Sequence, residues 1–99
     1  MSKINQTVKL TRTNVNLYVI GKTIHSGNIT TIEKPYEVIM NMEGIQMIPM
    51  DKHLLGKDLD YVTISNNDVL YSEEPGEDLR NLYLESISGI EVPKQELII

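Results

Sequence analysis

The sequence predicts a mainly β fold: a strongly bent, five-stranded antiparallel sheet curled into an open barrel, with one C-terminal helix. Three observations predict it. Segments rich in β-branched residues alternate apolar and polar positions, the period of half-buried strands. Gly, Pro, Asn and Asp separate these segments and supply turn conformations. After the last of them, Leu79, Leu82, Tyr83 and Ile87 recur at helical spacing and give one apolar face.

The elements follow in order. Residues 1–13 read as an extended N-terminal segment in which Val8, Leu10 and Arg12 alternate, and the domain proper is expected over 14–89. Val15, Leu17 and Val19 form one side of a first strand ending at Ile20, and Gly21-Lys22 reads as a tight turn. Thr23 to Ile32 reads as a long second strand with Gly27 in its middle. A strand glycine marks a bend or a close backbone approach, and such a bend curls a small sheet into a barrel.

Lys34-Pro35 marks the next turn, because proline cannot donate to a ladder and restricts its predecessor. A third strand runs from Tyr36 to about Met50, interrupted at Glu43-Gly44 by either a bend or a hairpin turn. Asp51 to Asp60 is polar around Leu54-Leu55 and reads as a loop or a short helical turn. Tyr61–Ser65 and Val69–Glu73 are short strands joined by Asn66-Asn67-Asp68, residues that hydrogen-bond their own backbone in turns. After Pro75-Gly76, Glu77 and Asp78 place negative charge in the first turn of a helix over about 77–88, which Gly89 ends. Residues 90–99 are expected to be a tail, with an added edge strand as the alternative.

Composition narrows the function. A chain of 99 residues is one domain, and a domain near this size buries only about 60–65% of the surface its unfolded chain exposes. With no Trp, Phe or Cys, the core must come from Ile, Val, Leu and Met, and disulfides and thiolate metal sites are excluded. Met40, Met42, Met47 and Met50 crowd one segment, where methionine serves as core filler. No stretch has the roughly 20 apolar residues of a membrane span, and the polar start lacks a signal peptide's apolar run; the expectation is a cytoplasmic protein that does not enter membranes.

The net charge of −5 is unevenly spread: residues 1–34 carry five bases against Glu33 alone, +4, and residues 35–99 carry four bases against thirteen acids, −9. An acidic whole argues against undiscriminating nucleic-acid binding, which needs clustered Lys and Arg. His25 and His53 have no partner at a metal-ligand spacing. Glu73-Glu74 and Glu77-Asp78 flank a helix start, where solvation and the helix dipole account for them. No nucleophile elbow, phosphate-binding glycine loop or zinc-protease motif occurs, so the expectation is a protein that is not an enzyme and takes no cofactor.

One spacing goes further. Gly27-Asn28-Ile29-Thr30-Thr31-Ile32-Glu33, followed by Tyr36-Glu37-Val38-Ile39-Met40, resembles the first signature motif of Sm-like proteins: a strand glycine, apolar residues two and five positions on, an acidic residue, a short turn and an apolar third strand. Ile64-Ser65-Asn66-Asn67-Asp68-Val69 has the length of the second motif without its Arg-Gly pair. The likeness covers about residues 15–72 and is in style closest to the phage and bacterial branch. It implies an Sm-like (SH3-like) barrel, with an oligonucleotide/oligosaccharide-binding barrel as the alternative, and the family's usual N-terminal helix is missing from residues 1–13.

The resemblance also implies a homo-oligomeric ring that binds single-stranded, often uridine-rich RNA. A flat residue in the turn after the second strand, an Asn two positions later and the second-motif Arg would form the pocket. Direct alignment puts Pro35 at the flat position, or Tyr36 if the turn is one residue longer, with Glu37 at the Asn and Ser65 at the Arg; Lys34 and Asn66 adjoin them. Glu37 and Ser65 replace donors with an acid and a neutral group, which weakens phosphate binding and favours the alternative, a ring-forming scaffold that has lost the RNA pocket. The ring interface would be strand pairing through Tyr61, Val62, Ile64, Val69, Leu70 and Tyr71, closing about five to seven subunits as the family implies.

Overall fold

The computed structural model describes residues 8–89. Its elements are β1 (Val8–Thr13), β2 (Tyr18–Ser26), β3 (Ile29–Asn41), β4 (Gly44–Pro49), the short helix α1 (Lys52–Leu55), β5 (Tyr61–Ser65), a 3-10 turn (Asn66–Asp68), β6 (Val69–Glu73) and α2 (Glu77–Gly89). The sheet has six strands, not five, in the order β4-β3-β2-β1-β6, with β5 on the first half of β3. Every pairing is antiparallel. The sheet is open, strongly bent and followed by a helix, as the sequence predicts. The tail at 90–99 lies outside the described residues.

The extra strand is β1. Residues placed before the domain, Val8–Thr13, are a strand paired with β2 on one side and β6 on the other. Two glycines exchange the roles the sequence suggested for them. Gly27, expected in mid-strand, sits in the two-residue loop between Ser26 and Ile29 with φ 62, a positive φ at the first loop residue that suits a II′ hairpin. Gly21, expected in a turn, lies inside β2 where the register with β3 shifts between Ile20 and Lys22.

That shift is the bend. Ile20 faces Tyr36 while Lys22 faces Glu33, so β3 carries one more residue than β2 and forms a bulge at Lys34-Pro35. A Cβ on Gly21 would meet the Glu33 carbonyl oxygen and the Ile32 Cγ2 at 2.6 Å. Lys34 adopts φ 51, a conformation costing a non-glycine residue roughly 1–2 kcal/mol. Lys34-Pro35 therefore kinks one continuous strand and does not separate two.

The bulge moves the apolar residues of β3 from one face of the sheet to the other. Before it, Thr30 and Ile32 pair with Ile64 and Val62; after it, Tyr36 and Val38 join Val8, Ile20 and Tyr83 in the main core. Helix α2 covers this second face with Leu79, Tyr83, Leu84 and Ile87, whereas Leu82 is 40% exposed. The C-terminal helix thus covers one face of the open sheet. The first face is lined by Thr11, Thr13, Thr23 and Thr30, all buried, and their hydroxyls are paired, as Thr11 Oγ1 is with Ser72 Oγ at 2.7 Å and Thr23 with the Gly21 carbonyl at 3.0 Å. The interruption at Glu43-Gly44 is a hairpin turn: Met42-Glu43 is its loop, and Gly44 opens β4 opposite Asn41.

Gly21→Ala should destabilise the fold by at least about 1–3 kcal/mol, because the obstructing atom is backbone. Gly27→Asn should cost less, about 1 kcal/mol, since a side chain there meets nothing within 4 Å and only the positive φ is strained. Urea unfolding of both variants checks the assignment; equal costs would contradict it.

Candidate nucleic-acid interface

Strand β3 decides which of the expected RNA contacts are available. Tyr36 is 7% exposed, with its ring edge-on to Tyr83 at 5.7 Å and 87°. It is a core aromatic and offers no open ring face for a base. Tyr83, wholly buried, donates its hydroxyl to the Lys34 carbonyl at 2.9 Å and shares it with the Glu33 carbonyl at 3.2 Å. Lys34 N–H donates to the Asp60 carbonyl at 2.8 Å. The kinked backbone is thus held from both sides, and the Lys34 side chain is exposed. Glu37 is half-buried, between Val19 and Ile48. The phenol pKa of Tyr83 is raised by burial first, then by Tyr36 and Glu33; that of Tyr36 is raised by burial and then by Asp58.

Ser65 and Asn66 lie elsewhere, at the end of β5. Ser65 Oγ accepts from the Asn67 N–H at 3.3 Å and caps the 3-10 turn. Asn66 joins this turn to the β2–β3 turn through three hydrogen bonds: its N–H donates to the Asn28 carbonyl at 2.8 Å, its Nδ2 to the Gly27 carbonyl at 3.1 Å, and its Oδ1 accepts from Thr30 Oγ1 at 2.6 Å. The same Thr30 hydroxyl lies 2.9 Å from His25 Nδ1. His25, Asn28, Asn66 and Asn67 are all exposed around this junction.

The structure therefore brings together Ser65 and Asn66 with His25 and Asn28, and leaves Lys34, Tyr36 and Glu37 at the kink of β3. Reading Gly27 as a strand residue hides His25 and Asn28. The signal was present: Gly-Asn between two β-branched runs is a two-residue hairpin signature. Asp68 is the one charged residue in the two turns, 26–28 and 65–68, so the junction is polar and nearly neutral.

Of the expected ring residues, Val62 and Ile64 turn inward, paired with Ile32 and Thr30, and Val69 is half-buried opposite Thr13. Tyr61, Leu70 and Tyr71 are exposed, and Leu70 is the residue left over where the β1–β6 register slips. No protein-family model matches the chain, and no curated protein sequence matches it. Among the described residues, no three of His, Cys, Asp or Glu come together to hold a metal ion, and no helix is long and apolar enough to cross a membrane.

A phenol with a raised pKa keeps its proton in the native state while the unfolded chain ionises. Its contribution to stability is full below the ordinary tyrosine pKa of about 10 and is lost as pH rises above it, by up to about 1.4 kcal/mol per pH unit for each group. Tyr83→Phe should flatten this alkaline decline relative to the parent, as read by urea unfolding at pH 8 to 11. An unchanged slope would show that Tyr83 ionises as readily in the fold as outside it.

Proposed function

We propose that the protein is a homo-oligomeric Sm-like ring that presents single-stranded RNA sites at the junction of the β2–β3 and β5–β6 turns. The observation that carries this reading is the bridge of Asn66 to Gly27, Asn28 and Thr30. It joins the β2–β3 turn to the segment with the length of the second motif; the motif spacing puts the pocket turn at Lys34-Pro35, and in this reading Gly27-Asn28 takes its part. With β2 ending at Ser26, the flat side chain beside that turn is His25 and the amide is Asn28. An exposed imidazole can stack on a base, and amides can read base edges.

Ring closure is supported by the edges of β5 and β6. Each has one strand partner among the described residues, β3 for β5 and β1 for β6. Lys34 N–H bonded to Asp60 O and Asn66 N–H bonded to Asn28 O fix the alternation along β5: Val62 and Ile64 face β3, and Tyr61 and Thr63 turn their backbone groups to the open edge. Unpaired edges of this kind are covered by head-to-tail contacts in a closed ring.

The second reading is a ring-forming scaffold without RNA. What favours it is that both ends of the Asn66 amide are engaged within the protein and that the two turns contain no Lys or Arg.

Titration with labelled oligouridine and oligoadenine at two salt concentrations separates the readings. RNA binding through the junction should depend weakly on salt, because few phosphates are neutralised. His25→Ala should weaken it by roughly 1–3 kcal/mol without changing the mass in light scattering. No binding by the parent at low salt would leave the scaffold. For the ring, Thr63→Pro removes an outward donor and should lower the oligomer mass while the fold persists; a parent that is monomeric at micromolar concentration would contradict closure.

A further inference from the structure

The hairpin of β3 and β4 projects past the cover that α2 gives the sheet, and one of its faces is apolar as far as Met40 and Ile45. Met40 is 65% exposed and Ile45, its cross-strand partner, 47%. These two residues continue the face of Tyr36, Val38 and Met47, and together with Leu10, Tyr18, Tyr71 and Leu79 they line a groove. Strand β4 forms one edge of the sheet.

The directions of its backbone groups follow from two observations. Asn41 pairs with Gly44 across the hairpin, and Met50 N–H donates to the Pro35 carbonyl at 3.1 Å. Gly44, Gln46, Ile48 and Met50 therefore face β3, while Ile45 and Met47 turn their N–H and C=O groups to the open edge. Pro49 falls on the outward register, where a missing donor leaves the β3–β4 ladder intact. Natural edge strands are commonly blunted by charge or a bulge; Gly44-Ile45-Gln46-Met47-Ile48 carries no charge, and its pairing with β3 runs without a register shift.

We propose that this edge pairs with a second copy of itself across a two-fold axis at Gln46, forming an interface separate from the ring edges of β5 and β6. Ile45 then lies opposite Met47 of the partner subunit, and each pair exchanges its outward N–H and C=O groups. A two-fold operator brings identical surfaces together. For a chain of net charge −5, that contact is open to a second copy only where the surface is neutral, as residues 44–48 are. The ladder between two such short strands falls short of the roughly 1,200 Å² of total area that a stable interface buries. The adjoining apolar groove, brought beside its counterpart on the same side of the joined sheet, supplies the remainder.

Because the chain has no cysteine, one substitution tests the register. At the axis Gln46 faces its own copy as a pair outside the hydrogen-bonded set, with Cα atoms about 4.5 Å apart, within disulfide range. Gln46→Cys, mildly oxidised at micromolar concentration, should run mainly as a covalent dimer on a non-reducing gel. Asn81→Cys, on an exposed position of α2, should run mainly as a monomer. Adding Ile45→Pro to Gln46→Cys removes an outward donor and should abolish the dimer while the circular dichroism of the sheet is retained. A dimer fraction no greater than that of Asn81→Cys, or a cross-link that survives Ile45→Pro, overturns the pairing. If the parent is then a ring by light scattering, the ring stands without this interface; if it is a monomer, both fail, and the edge is left to another partner or to residues 90–99.

Discussion

The structure depends on the crossing of β2 over β3 at Gly21. Backbone oxygen stands where a side chain would begin, so only glycine lets the two strands meet there. Opposite it, Lys34 takes a left-handed conformation and Pro35 gives up a backbone donor. Neither is favourable alone. The crossing is tied down by the Tyr83 hydroxyl on the Glu33 and Lys34 carbonyls and by the Lys34 N–H on Asp60. A single phenol on α2 therefore links the helix to the point at which the sheet bends.

That crossing lets a chain with few large apolar residues build two packed faces. Residues of β3 at even positions serve the threonine-lined face before the bulge and the tyrosine core after it. The first half of β3 can then hold β5, and the second half β4. With β5 placed against Ile29–Glu33, its far end reaches the β2–β3 turn, where Asn66 bonds Gly27, Asn28 and Thr30. The proposed RNA junction is in this sense a consequence of the bend, and the uncovered β4 hairpin is another.

Local chemistry made much of this legible. Tyr61–Ser65, Val69–Glu73 and the helix from Glu77 emerge where alternation, the Asn-Asn-Asp turn and the acidic first turn place them. The two glycines differ from their expected roles for a physical reason: a bend glycine inside a strand and a turn glycine between strands share a local sequence character, and the difference lies in what packs against them. Gly21 needs its role because of Glu33 and Ile32, which sequence adjacency does not show. With Gly27 in the turn, His25 is the ring beside the junction, and Tyr36 belongs to the core. Pro35 is ambiguous in the same way, because a proline in a bulge and a proline in a loop both lack a ladder bond.

Among the described residues the outer edges of β4, β5 and β6 have no strand partner, and the proposed ring would cover those of β5 and β6. Residue-resolved amide hydrogen exchange of the parent protein along β5 tests this most directly, because its amides alternate between β3 and the open edge. Slow exchange at Tyr61 and Thr63, matching that of Val62 and Ile64, is the predicted result, since a neighbouring strand must hold the outward amides. Fast exchange at Tyr61 and Thr63 beside slow exchange at Val62 and Ile64 would describe a sheet edge open to water and would contradict the ring.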